Sequence, residues 1–186
     1  MNDNKIENID LENLLSENPK VKYVFAKQLL SIAKENPKAL YPRLDFFVNL
    51  LENENQIIKW TSIDIIGYLS KVDEKKKIDR LLQRLFGFLN SGKLITANHA
   101  IFALSEIAVN KPEYKDKITE ELLKVEHYNY DITECRNIAI GKVILALGMY
   151  VDQIENKKSI VEFLQRQTNN TRNATKKKAQ ELLKSI

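Results

Sequence analysis

Few residues in this chain have the types and spacing that chemistry requires, and the clearest pair is an aromatic ring followed by a carboxylate. Trp60 and Asp64 stand four residues apart, so on a helix they lie one turn apart on the same face. A ring and a carboxylate placed together can stabilise a positively charged group. The other candidate is Cys135, beside Arg136 near the start of an expected helix. A cysteine next to a cation can be a nucleophile, although a structural cysteine is the commoner case.

The remaining candidates complete neither a catalytic site nor a metal site. His99 and His127 fall in different parts of the chain without a partner that would make a triad. One cysteine and two histidines are too few for a zinc site. The five glycines are scattered and form no phosphate-binding loop. Gly67 and Gly141 are expected to relieve crowding where helices cross. We therefore expect no catalytic residue, no metal and no cofactor, and a binding function rather than an enzymatic one.

Composition and charge indicate one folded domain of a reducing cytoplasm. The chain has 186 residues, 44% of them hydrophobic, with five Gly and four Pro, so long stretches run without a helix breaker. It has no apolar run long enough to cross a membrane, and residues 1–8 contain no apolar signal core. The formal charge is +4, and the positive charge is concentrated in residues 170–186. Those lysines can steer a polyanion, or simply solvate a terminal helix.

One block of sequence recurs along the chain. Its clearest copy, residues 42–67, has an amphipathic helix that ends in Leu-Leu, a short polar turn, and a second helix with apolar residues three and four apart. A core apolar position recurs in the second helices at steps of 37, 38, 40 and 38 residues: Leu29, Ile66, Leu104, Ile144 and Leu182. The complete second helices end near an Asn or Asp: Asn36, Asp73, Asn110 and Asp152. One such hairpin cannot bury its apolar faces, so the pattern predicts stacked hairpins.

This block resembles the HEAT repeats of the armadillo-type α-solenoids. The matching features are Pro42 early in the first helix, the polar turn at 52–55, and the apolar-basic pairs Val21-Lys22 and Ile58-Lys59. The resemblance implies an all-α, right-handed α-α superhelix of about five hairpins over a single domain, 1–186. The expected repeats cover residues 9–36, 40–73, 78–110, 117–152 and 158–186. The third and fourth copies depart from the pair at the start of the second helix, which leaves the subtype open.

In such stacks the second helices line the concave side, where partners usually bind. At 100° per residue, the stripe opposite the core columns collects aromatic, basic and acidic side chains. The candidate binding residues are Tyr23, Lys27, Trp60, Asp64, Tyr68, Asn98, Phe102 and Lys142. The same register adds Ile138 and Ala146, and Lys176, Gln180 and Lys184 on the last helix. Exposed aromatics anchor partners well, so we expect a scaffold for a protein or peptide. Trp60 can equally pack over an adjacent repeat.

A second interpretation is nucleic-acid binding. The Trp60–Asp64 pair resembles the active-site helix of the HEAT-like alkylpurine DNA glycosylases. The resemblance implies Trp60 as the platform for a cationic base and Asp64 as the carboxylate that supports oxocarbenium charge. That family places an arginine on the next repeat, whereas this sequence has Asn98 and His99 there. The nearest basic candidate is Arg136, one repeat further on.

Overall fold

The computed structural model describes residues 9–186. Residues 1–8, for which the sequence predicts no signal segment, lie outside the described part. Across residues 9–186 every regular element is helical and none is a strand. The prediction of an all-α fold is therefore confirmed.

Within the described residues the chain forms ten α-helices joined by shorter 3-10 turns. The α-helices are α1 (Pro19–Glu35), α2 (Pro37–Leu40), α3 (Leu44–Asn49), α4 (Gln56–Leu69), α5 (Leu82–Leu89), α6 (Leu94–Asn110), α7 (Lys115–Leu123), α8 (Thr133–Leu147), α9 (Lys158–Gln167) and α10 (Asn173–Ser185). The 3-10 turns are Leu11–Leu15, Tyr41–Arg43, Leu50–Glu52, Ser70–Val72, Ile78–Leu81, Pro112–Tyr114, Lys124–His127 and Val151–Gln153. The long helices α1, α4, α6, α8 and α10 match the five predicted second helices.

The helices fall into two compact units, one reaching Arg80 and the other covering Leu81–Ile186. In the first unit α1, α2 and α3 all pack against α4. The first helix of its second hairpin is divided into α2 and α3, separated by a 3-10 turn that contains Pro42. Proline cannot donate a main-chain hydrogen bond, and its ring crowds the preceding turn. The single domain expected over 1–186 stays a prediction.

Asparagine side chains start both long helices of the first unit. The side chain of Asn18 accepts a hydrogen bond from the Lys20 N–H at 3.0 Å, and Asn55 accepts one from the Ile57 N–H at 3.1 Å. Each bond satisfies an N–H group that the first helical turn leaves without a partner. The recurring polar turns of the sequence therefore act as helix N-caps here.

A buried carboxylate organises the turn that ends the first unit. Asp73 follows the 3-10 turn after α4 and is only 6% exposed. It accepts hydrogen bonds from the Lys77 N–H at 2.9 Å and the Ile78 N–H at 3.0 Å, and from the Tyr41 hydroxyl. The predicted helix terminator thus also joins the end of the hairpin back to its beginning.

The second unit repeats a nearest-neighbour packing. α5 packs on α6, α6 on α8, α8 on α10, and α9 on α10. At Gly141, α8 and α10 lie so close that an added Cβ would be 2.8 Å from Thr175 Oγ1. The Thr175 hydroxyl is fully buried and donates to the main-chain oxygen of Asn137 at 2.7 Å. The expectation that Gly141 relieves helix crowding is confirmed.

The predicted core positions are buried where a neighbouring helix covers them. Leu29, Ile66, Leu104 and Ile144 are at most 2% exposed, whereas Leu182 on the last helix is half-buried. A terminal helix has a neighbour on one side only, which explains the difference. None of the helices in residues 9–186 is both long and apolar enough to cross a membrane.

Candidate interaction surface

In the first unit, two predicted binding residues contact each other on α1. Tyr23 and Lys27 are both exposed, Tyr23 at 51%. Their four-residue spacing stacks them on one side of the helix, and the Lys27 ammonium lies 4.5 Å from the centroid of the Tyr23 ring. The pair presents a flat ring and a charge at the same place on the surface.

The other predicted residues of the first unit form a stripe on α4, here called the α4 face: Trp60, Asp64 and Tyr68. All three are half-buried. Each of them also makes a polar, ring or electrostatic contact within the chain. The α4 face is therefore partly covered and already engaged, so its aromatic rings offer less open surface than the sequence pattern predicts.

In the second unit, the predicted residues of α6 are half-buried in the same way. This holds for Asn98 and Phe102, and the neighbouring His99 is half-buried as well. Phe102 and His99 each make a contact within the chain. Lys142 on α8 is exposed. The structure therefore places all eight candidate binding residues outside the buried core, while their role in binding stays a prediction.

On α8 the exposed stripe is displaced from the predicted one. Ala146, which the sequence register placed on this surface, is buried at 4% exposure. Leu145 and Met149 are exposed at 51% and 47% instead. Together with Ile138 and Lys142 they follow each other at helical steps of four, three and four residues. We call these four residues the α8 face.

The sequence contained a signal for the α8 face that the alignment of repeats did not use. Helix positions four, three and four apart stay on one side of a helix, whereas repeated steps of four drift around it because a turn has 3.6 residues. The predicted positions Ile138, Lys142 and Ala146 are four residues apart throughout, so the stripe that they define turns toward a packed neighbouring helix. The exposed stripe alternates its steps and ends at Met149, in the turn after α8.

Positive charge lies beside the α8 face. The Lys178 ammonium of α10 reaches the main-chain oxygen of Gly141 at 3.4 Å, next to Lys142. Partial burial lowers the pKa of Lys178 below its ordinary value, and repulsion from Lys142 and Arg172 adds to that shift. Arg172 itself donates to Glu134 at 2.8 Å. Lys142 and Arg172 thus both lie close enough to Lys178 to disfavour its charged form.

Basic side chains outnumber acidic ones in α8, in α10 and at the residue before α10. The basic side chains of α8, α10 and the residue before α10 are Arg136, Lys142, Arg172, Lys176, Lys177, Lys178 and Lys184. The acidic ones are Glu134 and Glu181. An anionic partner would be attracted to this part of the second unit.

Polar contacts join the last two hairpins below this surface. Glu126 accepts two hydrogen bonds from the Arg166 guanidinium, at 2.6 and 3.2 Å, and a third from the Gln167 side chain at 2.9 Å. Tyr150, buried directly after Met149, shares a hydrogen bond with Thr119 at 3.2 Å. Burial raises the pKa of Tyr150 to about 12. The Tyr150–Thr119 contact holds the turn after α8, which contains Met149, against α7.

The residue types that could do chemistry are spread over the described part of the chain. They contain no group of three or more His, Cys, Asp or Glu side chains placed to hold a metal ion. Cys135 is a free thiol, half-buried, and His127 is an exposed side chain beside Glu126. Trp60 and Asp64 share the α4 face in the first unit, while Arg136 belongs to the second. The glycosylase-like assignment stays a prediction.

Comparisons with known proteins support the fold alone. No protein-family model matches the sequence, and no curated protein matches it significantly. The chain is similar to a crystal structure of an engineered protein, a Northeast Structural Genomics Consortium target. That similarity has a TM-score of 0.51 at 17% identity and covers 99% of this chain and 96% of the other.

Proposed function

We propose that this chain is a HEAT-type interaction scaffold of the cytoplasm, and that the exposed stripes of its long helices bind a protein or peptide. The observation that carries the proposal is the exposure of Tyr23 on α1, Leu145 on α8 and Met149 in the turn after α8. Large apolar side chains left half open on an otherwise well-buried fold are typical of binding surfaces.

The test is affinity capture from a lysate of the source organism, with and without nuclease. The double variant Trp60→Ala with Phe102→Ala is expected to lose a nuclease-resistant protein partner and to keep its helical circular dichroism. A matched control is Phe46→Ala, which removes a half-buried ring from α3. Retention of the partner by the double variant would show that neither aromatic residue takes part in binding.

Nucleic-acid binding is the second candidate, favoured by the seven basic side chains of the α8–α10 region. Binding through phosphates predicts an affinity for duplex DNA that falls steeply as salt is raised. If alkylpurine excision accompanied it, Asp64→Asn would abolish the excision and spare the binding. A flat salt response, or no binding near physiological salt, eliminates this candidate.

A further inference from the structure

The α8 face combines an apolar stripe with a positive border. Ile138, Leu145 and Met149 are the apolar members, with Lys142 between them. At 1.5 Å per residue the stripe is about 16 Å long, or three helical turns. α6 packs against one side of α8 and α10 against another, so the stripe is the part of α8 left between these contacts.

The cations at its border are held in place by the fold. Lys178 is partly buried and directed at the Gly141 oxygen, and Arg172 is held by Glu134. Because Lys142 and Arg172 each repel the Lys178 ammonium, an anionic side chain brought against Lys142 and Lys178 would relieve part of that repulsion.

The apolar members decide which anionic partner fits. Aliphatic side chains such as Leu145 and Met149 gain most from apolar partner side chains, and methionine adapts to their shape. Single-stranded nucleic acids are bound by cations together with aromatic rings that stack on bases, and the α8 face carries no ring. Duplex nucleic acids are bound through their phosphates, which gain nothing from the apolar side chains of the stripe. An amphipathic helix offers apolar anchors at the same spacing of three and four residues, with charges along its edges.

We propose that the α8 face binds an acidic amphipathic helix of a partner protein, with aliphatic anchors against Leu145 and Met149 and carboxylates against Lys142 and Lys178. The inference rests on the proposed scaffold function and names the chemistry of the partner for this part of the surface. The three-turn length of the stripe matches a partner helix of about 12 residues.

The test uses the full chain and a fluorescent helical peptide of about 15 residues, with leucines at helical spacing and glutamates on both flanks. Its binding is followed by fluorescence anisotropy. The double variant Leu145→Gln with Met149→Gln is expected to weaken binding about tenfold or more, because half-exposed anchors are lost without disturbing the core. Lys142→Glu is expected to weaken it roughly threefold to tenfold, and added salt should weaken it as well.

Matched variants control for polarity and charge. Val24→Gln makes the same apolar-to-polar change at an exposed site on α1, and Lys158→Glu makes the same charge reversal at the start of α9. Both should bind the peptide as the unaltered chain does. A peptide of the same composition with its leucines scrambled should bind at least about tenfold more weakly.

Four results would overturn the inference. They are no binding of the acidic peptide, equal binding of the scrambled peptide, binding of a duplex oligonucleotide with no binding of the peptide, or self-association of the chain that Leu145→Gln with Met149→Gln abolishes. If the peptide does not bind while lysate capture still depends on Trp60 and Phe102, the inference about the α8 face is wrong and the proposed scaffold function stands. If the peptide binds while lysate capture does not depend on Trp60 and Phe102, the α8 face is the binding surface and these two aromatic residues do not take part.

Discussion

The α4 face and the α8 face occupy corresponding helices of the two units, yet they differ in what they leave open. On α4 the ring of Trp60 and the carboxylate of Asp64 are half-buried and engaged within the chain. On α8 two aliphatic side chains, Leu145 and Met149, are about half exposed beside a group of cations. Residue type alone favoured the aromatic side chains of the α4 face as anchors for a partner. Exposure favours the α8 face, because a side chain can bind a partner only with the surface that its own fold leaves free.

The largest expected effect comes from disturbing the helix contact next to the α8 face. Gly141→Val would push a side chain into the Thr175 hydroxyl, which is buried and hydrogen-bonded and so cannot move aside. We expect a loss of about 3 kcal/mol or more in the free energy of unfolding, measured by urea denaturation. The control is Gly87→Ala on α5, where an added Cβ meets nothing within 4 Å. It should be neutral or gain up to about 1 kcal/mol from helix propensity. Equal stabilities would show that α8 and α10 are not tightly packed.

High pH should loosen the end of the α8 face. The pKa of Tyr150 is about 12 in the folded protein and about 10 in an unfolded chain. Between those values the unfolded chain releases a proton that the folded one keeps, so stability falls as pH rises, by about 2 kcal/mol at pH 12. Tyr150→Phe should flatten this part of the stability profile, and the exposed control Tyr23→Phe should not. Identical slopes would mean that the hydroxyl reaches solvent.

Alanine variants of Trp60 and Leu145 should distinguish a side chain that stabilises the fold from one that lies mainly on the surface. If the α4 face contributes to packing, Trp60→Ala costs about 2 kcal/mol in the free energy of unfolding, because a half-buried indole loses its covered area. Leu145→Ala should cost less than about 1 kcal/mol, since about half of that side chain is already in water. Both are read from chemical denaturation. The reverse order of costs would contradict the contrast between the two faces.

The smallest effect concerns the charges at the border of the α8 face. Arg172→Gln breaks an exposed ion pair with Glu134 and should change stability by less than about 1 kcal/mol. It also removes one of the cations that lower the pKa of Lys178. Nuclear magnetic resonance titration of the Lys178 ammonium should therefore show its pKa rising toward the ordinary value. Lys158→Glu on α9 is the control and should leave that titration unchanged. An unchanged value in Arg172→Gln would show that Arg172 does not contribute to the shift.

Much of the fold followed from local pattern. The spacing of Leu29, Ile66, Leu104 and Ile144 identified four buried positions, because helix periodicity assigns each apolar residue to a side of its own helix. Asn55 marked a helix start and Asp73 a helix end for equally local reasons, since their side chains bond to main-chain groups a few residues away.

The surface was less predictable from the same pattern. Periodicity placed Lys142 correctly on an open side, but it exchanged the buried Ala146 for the exposed Leu145. The two are adjacent in sequence and differ by 100° around the helix. Nothing within α8 decides which of them a neighbouring helix covers.

The sequence by itself therefore determined the helical class, the recurring hairpin and the inward side of each long helix, because these depend on propensity and spacing within a single element. Only the tertiary structure decided how far each outward residue is covered. It half-covered the α4 face, left Leu145 and Met149 open, and placed Lys178 against Gly141. The reason is that the exposure of a side chain depends on how closely neighbouring helices approach. That distance is set by residues far apart in the chain, such as Gly141 and Thr175.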